Sequence, residues 1–505
     1  MATPQILIVG AGPTGLMLAL RLVRHGVAVR IIDRASGPGE ASRAMAVHAR
    51  TLEFYRQMGC ANEIVASGTP IETVRMRENG QEVGVLPLKD IGAGLSPYPY
   101  VLAYPQDNHE RFLVGKLKEA GVTVEWGTSL STFSQDENGV HALLNHGGVE
   151  SFSDTPFICG CDGAHSRVRE VLQVGFPGRT YEHLYYVADV QVSGPANTDL
   201  IAYLGTHTFA LMLPVRCSGM QRLIGIMPAS ADNLPQPGFN DVRPEVESLL
   251  GIKVEEVNWF STYRVHHRVA SEFQVGRCFL LGDAAHVHSP AGGQGMNTGI
   301  GDAVNLGWKL AHVLQGRAAP GILDSYEAER IVFARKLVAT TDRAFKAIVA
   351  QGMGGQLVRH WLLPRVFPFL TGFPAARRAV FKTLSQVQIN YEDSRLSSGR
   401  AGDVLGGDRL PWVAEGNRDN FVPLQSMDWQ LHVYGVLGPG LAAEAQELGL
   451  SCHIYNWNDN AGHAGLLRDA AYLVRPDGYV ALALPRQETG TLSDYAAGNG
   501  LRFHS

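Results

Sequence analysis

Ile6-Leu7-Ile8-Val9-Gly10-Ala11-Gly12-Pro13-Thr14-Gly15 is the stretch that decides the fold. Four successive apolar residues predict a short parallel strand buried on both faces. The glycine loop follows without a gap. Leu16, Ala19, Leu20 and Val23 then recur at helical spacing as far as His25-Gly26, where glycine can end a helix. A second apolar run, 27–32, closes on Asp33 and Arg34. In such a unit Gly10 permits the tight turn, Gly12 lets the backbone approach a pyrophosphate, and Gly15 lets helix and strand pack closely. Pro13 and Thr14 open the helix, whose free N–H groups and positive dipole end favour phosphate. Asp33 ends the second strand where a carboxylate can meet a ribose 2′-OH. The unit fits a dinucleotide, and it does not by itself separate NAD from FAD.

Two later segments decide between them. In the second, Cys161-Asp162-Gly163-Ala164-His165-Ser166-Arg167 follows an apolar run. In the third, 279–281 reads as a strand, with Gly282-Asp283 the turn at its carboxyl end. Asp283 is placed to accept hydrogen bonds from a polyol, and FAD has a ribityl chain that NAD lacks. A glycine-rich loop from Pro290 through Gly292 and Gly293 to Gly295 then opens a long helix. Met296, Ile300, Val304 and Trp308 fall four apart, giving that helix an apolar face. Gly299, Gly301 and Gly307 permit close packing at about 1 kcal/mol each relative to alanine. The positive end of the helix points at the loop and would favour the negative charge of a reduced flavin.

The three segments, in this order, resemble the single-component aromatic hydroxylases, flavoprotein monooxygenases of the p-hydroxybenzoate hydroxylase fold. The resemblance spans about residues 4–340 and extends more loosely beyond. It implies an α/β protein with a Rossmann-like FAD-binding domain and an inserted antiparallel-sheet substrate domain. It also implies that Asp162 and Gly163 serve both FAD and NAD(P)H, and that Pro290, Gly293, Gly295, Met296 and Asn297 lie at the isoalloxazine ring. Ser42-Arg43-Ala44 and the following Arg50-Thr51-Leu52-Glu53 resemble the family's arginine segment beside the flavin. Tyr104-Pro105-Gln106 resembles the segment whose glutamine contacts it. Arg43, with Pro290, is the expected catalytic residue, helping to gate flavin movement. His48 reads as a packed surface histidine.

The implied reaction uses FAD, O2 and NADPH or NADH to hydroxylate a phenolic or polycyclic aromatic substrate through a flavin C4a-hydroperoxide. Water must be kept from that species and one ring carbon held toward its distal oxygen. With no second nucleotide-binding unit in view, NAD(P)H would dock transiently beside the flavin. A flavin-dependent halogenase would need a Trp-x-Trp-x-Ile-Pro segment and a lysine that handles hypohalous acid; neither Trp259 nor Trp308 has such a neighbourhood, and no lysine falls between the first motif and Lys89. A flavin-dependent reductase of an unsaturated substrate and a non-catalytic FAD protein are further alternatives.

Composition agrees with a soluble enzyme. At 505 residues the chain has room for two or three domains. Its 45% apolar and 18% charged content fits a large core, and a net charge of −5 gives no reason to expect nucleic acid. No apolar run approaches the ~20 residues of a membrane span. The start Met1-Ala2-Thr3-Pro4 lacks a basic region, so a signal peptide is not expected. Six cysteines without CxxC or His/Cys metal spacing suggest no metal, and free thiols in a reducing cytoplasm.

The FAD-binding domain is expected over 1–180 and 270–345, with 76–99 lending strands to the substrate sheet. The substrate domain covers 181–269, with strands at 185–192, 201–204, 208–215, 221–227 and 254–269. A helical segment covers 346–395. A Gly/Ser/Asp-rich loop at 397–410 marks a boundary. Residues 411–505 resemble the thioredoxin-like tail of the phenol and polyketide hydroxylase branch, including a hairpin with a Pro476-Asp477-Gly478 turn. Without CxxC that tail is expected to be structural or to serve a subunit contact, and a homodimer stays open. Tyr186, Phe209, Met212, Pro214 and Tyr263 are the candidates for the substrate pocket. Arg264, His266 and Arg268 alternate and so share one strand face, where they could bind an acidic substrate or be an exposed basic edge.

Overall fold

The computed structural model describes residues 3–39, 44–78, 81–193, 199–204, 209–215, 219–228, 234, 236–289, 291–349, 372–416 and 418–503. Arg43 and Pro290 lie outside the described residues, as does 350–371 of the expected helical segment.

Ile6–Val9 is a strand with all four residues buried. It sits between Phe157–Gly160 and Val29–Asp33, both parallel to it. Cys278–Leu280 and Glu125–Trp126 extend this sheet as parallel strands on its two sides, and Gln274–Val275 closes one edge antiparallel. A parallel sheet presents the carboxyl ends of its strands along one edge. The turns after Val9, Gly160 and Leu280 therefore emerge side by side. The helix Pro13–Arg24 packs against the long helix Gln294–Leu314, so the first and third motifs share one layer.

Gln294–Leu314 departs from the expected single apolar face. Sixteen of its residues are buried, among them Asn297, Asp302, Asn305, Lys309 and His312. It is a central helix, surrounded on nearly all sides, and its buried polar groups carry the internal ties described below.

The second large sheet has eight strands. Their order is His286–Val287, Val254–Val269, Gly178–Val192, Met220–Ile226, Phe209–Val215, Leu200–Leu204, Thr73–Glu78 and Gln81–Pro87. It is antiparallel as expected, except that Leu200–Leu204 runs parallel to Thr73–Glu78. The helix Arg243–Leu250 covers one face of this sheet.

A third sheet lies near the C-terminus. Gln430–Tyr434 and Ser451–Tyr455 are parallel, while Ala471–Val474 and Val480–Leu484 pair antiparallel beyond them. Helices Pro439–Glu447, Asp459–His463 and Thr491–Asn499 connect or follow these strands. The Gly-rich stretch read as a boundary loop contains strands Ser398–Ala401 and Val404–Leu405, which extend this sheet. Glycine disguised them. Gly399 and Gly406 bring the backbone so near its neighbours that an added Cβ would stand 2.3 Å from the Ala483 carbonyl and 2.3 Å from Ser398 N, respectively.

Candidate active site

The three glycine motifs meet in space. Gly10 has φ +104°, and a Cβ there would stand 2.3 Å from the carbonyl oxygen of Cys161. A Cβ on Gly15 would stand 2.0 Å from the Gly10 carbonyl and 3.2 Å from Cys161 Cβ. Its requirement is thus the loop's own backbone together with the second motif. Gly282, at φ +58°, and Gly299 both face Thr14, whose Oγ1 would lie 2.6 and 2.2 Å from their added Cβ atoms. Gly12 differs from all of these. It has ordinary extended backbone at the helix N-cap and no side-chain cap, and a Cβ added there would meet nothing within 4 Å. Open space in front of free helix N–H groups suits a phosphate.

Asp33 holds this loop from behind. Its Oδ2 accepts from Ala11 N at 2.7 Å and its Oδ1 from Ala35 N at 2.8 Å. Arg34 is exposed just beyond it. In the second motif, the Asp162 carboxylate takes Ser166 Oγ at 2.5 Å and the N–H groups of Arg167 and Val168 at 2.6 and 3.2 Å. It thereby meets the first N–H groups of the short helix Arg167–Val171, whose N-cap is Ser166. Burial pushes its pKa up, against these hydrogen bonds. Gly163, at φ +81°, faces open space. Arg169 ties the second motif to the third, donating to the carbonyls of Ala164 at 2.7 Å and Ala284 at 2.8 Å. Asp283 is exposed at the mouth of the Gly282–Ala284 turn.

The loop before the central helix turns through two left-handed glycines, Gly292 at φ +75° and Gly293 at φ +64°. A Cβ on Gly293 would stand 2.6 Å from Ala46 Cβ, whereas Gly295 meets His288 only at 3.9 Å. Met296 is half-buried against the main core. The Asn297 side chain is fully engaged. It accepts from His48 N at 2.9 Å and Thr51 Oγ1 at 2.8 Å, and donates to the Ala46 and Gly293 carbonyls, each at 2.8 Å. It staples residues 46–51 to the glycine loop, so any flavin contact falls to its backbone.

His48 corrects the surface reading: it is 0% exposed. Its Nε2 lies 2.9 Å from the Gly292 carbonyl, to which it donates. Burial drives its pKa down to about 4 despite the glycine-carbonyl bonds, so the imidazole is neutral at neutral pH. Gln106 sits beside the same segment. Its N–H donates to the Ala44 carbonyl at 3.0 Å and its Nε2 to Glu110 Oε1 at 2.8 Å. No sequence pattern gave His48 or Arg169 a role, because each makes a tertiary bond.

Strand alternation divides the pocket candidates. Tyr186 and Met212 are buried in the cluster that packs on the Arg243–Leu250 helix, with Tyr186 stacked on Phe260 at 6.3 Å. Pro214 follows Met212 by two residues and takes the same side. These three lie on the face that packs on the Arg243–Leu250 helix. Phe209 and Tyr263 are on the other face, clustered with Tyr185 and Val265. That face continues through Leu213 and Val215 into the main core. Tyr185, which the sequence reading missed, lies 6.2 Å from the Phe209 ring and 5.8 Å from the Tyr263 ring.

Among the described residues, no cluster of three or more His, Cys, Asp or Glu is arranged to hold a metal, and no helix is long and apolar enough to cross a membrane.

Comparison with known proteins matches this geometry. The FAD binding domain family covers residues 3–341. The 6-methylpretetramide 4-monooxygenase of Streptomyces rimosus is 35% identical, covering 97% of this chain and 92% of that one. The pentachlorophenol 4-monooxygenase of Sphingobium chlorophenolicum is 33% identical, over 81% and 76% of the two chains. The solved anhydrotetracycline hydroxylase OxyS from Streptomyces rimosus superposes with a TM-score of 0.79 at 27% identity, covering 99% of both chains. With its three glycine motifs gathered at the ends of one parallel sheet, the chain belongs to the FAD binding domain family, among the FAD-dependent aromatic monooxygenases.

Proposed function

We propose that this monooxygenase hydroxylates a phenolic or polycyclic aromatic ring, drawing electrons from NADPH or NADH. The observation that carries the reading is the aromatic face of Tyr185, Phe209 and Tyr263 on the side of the large sheet that joins the flavin-binding core. The names of the relatives, a pretetramide and a pentachlorophenol monooxygenase, describe aromatic substrates of those two sizes.

The residues divide the work. Gly12, Pro13 and Thr14 would receive the pyrophosphate, Asp33 the adenosine ribose, and Asp283 the ribityl chain. Gly293 and Gly295, with the N–H groups that open the central helix, would face the ring system. Bound FAD would supply electron transfer from the nicotinamide and activation of O2. The protein's part is to orient the substrate ring between Phe209 and Tyr263 and to exclude water. Basic side chains stand beside the second motif. His165 and Arg268 act on His266, whose pKa burial and these two neighbours hold below its ordinary value. Arg264 is on the same strand face. The strip supports docking of an anionic nicotinamide nucleotide there.

The C-terminal module reads as a thioredoxin-like unit without redox chemistry. Its strand order and helix connections support that reading, and no CxxC is present. The free, mostly buried cysteines support a reducing, cytoplasmic setting.

Purified protein should be yellow and oxidise NADPH or NADH faster when a suitable phenol or polycyclic phenol is added. Product from 18O2 should carry one labelled oxygen. A flavin-loaded protein whose oxidation rate no such compound changes, with no labelled product, would overturn the proposal.

A further inference from the structure

Asp302, on the central helix, is 0% exposed and carries no role in the motifs above. Its Oδ2 accepts from Gly282 N at 3.0 Å and from His286 Nε2 at 2.8 Å. Its Oδ1 accepts from Arg330 Nε at 2.6 Å. Arg330 is also buried, at 1% exposure. One of its terminal nitrogens donates to the Thr298 carbonyl at 3.0 Å and the other to Tyr391 Oη at 2.9 Å. Burial pushes the Asp302 carboxyl up, but Arg330 and His286 outweigh it and hold the group below its usual range.

These bonds join two places that the site must keep in register. One is the Gly282–Ala284 turn, whose backbone N–H is held by Asp302 while Asp283 faces outward. The other is the first part of the central helix, held at Thr298 by Arg330. Between them there is no slack, since an added Cβ on Gly299 would stand 2.2 Å from Thr14 Oγ1 and 3.2 Å from Gly282 Cα. A carboxylate with three donors and a guanidinium with three acceptors define one geometry for both.

We propose that Asp302, braced by Arg330 and His286, is a positioning residue that sets the Gly282–Asp283 turn for the flavin's ribityl chain. It touches neither flavin nor substrate and acts through the turn. The inference rests on the assignment of Asp283 to that chain.

The experiment compares two ligands on the full-length, flavin-stripped protein. FAD needs both the first glycine loop and the Gly282–Asp283 turn, whereas ADP needs only the first. The double variant Asp302→Asn/Arg330→Gln removes both buried charges together, so that neither is left unpaired. Its FAD Kd should rise tenfold or more while its ADP Kd stays within twofold of wild type. The visible circular dichroism of the residual bound flavin should also change. His286→Gln, which leaves the Asp302–Arg330 pair intact, should give a smaller rise of about threefold for FAD alone, and it serves if the double variant does not fold. Unchanged FAD affinity and dichroism would overturn the proposal. So would an equal loss of FAD and ADP, which marks a structural role only. Asp283→Ala separates this failure from that of the underlying assignment. If Asp283→Ala binds FAD normally, the ribityl assignment is wrong. If it binds weakly while the Asp302 variants bind normally, only the brace is wrong.

Discussion

Around Gly10, Gly15 and Gly282 there is no room for one more carbon atom, whereas around Phe209 and Tyr263 it is the side chains that make the surface. The nucleotide side of the molecule is defined by backbone approaching backbone. The proposed substrate side is defined by which way alternate residues point. A constraint of the first kind demands glycine and so leaves a mark in the sequence. A constraint of the second kind can be met by many apolar residues, and it shows itself only once strand register is known.

The most severe test of the contrast lies within the first glycine loop. Gly15→Val drives a side chain into the Gly10 carbonyl, and Gly10→Val adds a left-handed φ to a clash with Cys161. Each should cost about 4 kcal/mol or more and yield little folded protein. Gly12→Ala meets nothing and keeps ordinary backbone angles. It should fold with a near wild-type melting temperature yet bind FAD at least about tenfold more weakly, ~1.4 kcal/mol. Thermal melts and flavin-to-protein ratios check both arms. A stable Gly15→Val would show that the loop is looser than its contacts imply.

The next test concerns how the C-terminal module is fixed to the flavin-binding half. Arg475, 0% exposed, makes two bonds to Glu329, at 2.7 and 2.9 Å, and two to Asp477, at 3.1 and 2.6 Å. Lys309 of the central helix meets the same Glu329 at 2.9 Å. Arg409 likewise reaches across to Glu53, at 2.9 and 2.7 Å. Arg475→Met strands buried carboxylates and should cost about 3–5 kcal/mol. Arg30→Ala, at a half-exposed pair with Glu125, should cost at most about 1 kcal/mol. Urea unfolding of both variants measures the difference. By the same reasoning, deleting 411–505 should prevent folding rather than leave an active flavin domain.

How far the sequence could be read follows this division. The first sheet, its glycine loop and the order of the three motifs were legible because strand, turn and helix follow one another without interruption. Asp33 and Asp162 were legible as candidate cofactor residues, but not that Asp33 holds the Ala11 N–H or Asp162 the Ser166 hydroxyl and the Arg167 N–H. Asp302, Arg330, Arg169 and His48 were hidden, since the hydrogen-bond partners of their side chains, Ala164 apart, lie 16 or more positions away along the chain. Tyr186 and Met212 were chosen as pocket residues on residue type, and strand parity puts them in the cluster under the Arg243–Leu250 helix, which residue type alone could not foretell. The strands at 398–405 were missed because glycine is scarce in strands unless another backbone comes close.

The sheet offers a milder test. Met212→Ala empties part of the cluster under the Arg243–Leu250 helix and should cost about 2–5 kcal/mol. The KM for the aromatic substrate should stay within twofold in the protein that remains folded. Tyr263→Ala, on the half-buried opposite face, should cost less stability and raise that KM several-fold. If the two variants exchanged their effects, the assignment of faces to core and pocket would be reversed.

The smallest effect is expected in the C-terminal module. Cys452 is exposed on the strand Ser451–Tyr455, with only a weak 3.8 Å contact from its sulfur to the Leu450 carbonyl. Partial burial raises its thiol pKa, which lowers the thiolate fraction that redox exchange would need. Cys60, Cys159, Cys161 and Cys278 are all free and buried in the flavin-binding half. Among the described cysteines, therefore, none in the C-terminal module stands ready to pair with Cys452 during turnover. Cys452→Ser should change stability by no more than about 0.5 kcal/mol and leave substrate-stimulated NAD(P)H oxidation within twofold of wild type. A well-folded Cys452→Ser protein with a large loss of turnover would mean that electrons pass through the module, and that its tie to Glu329 serves chemistry as well as folding.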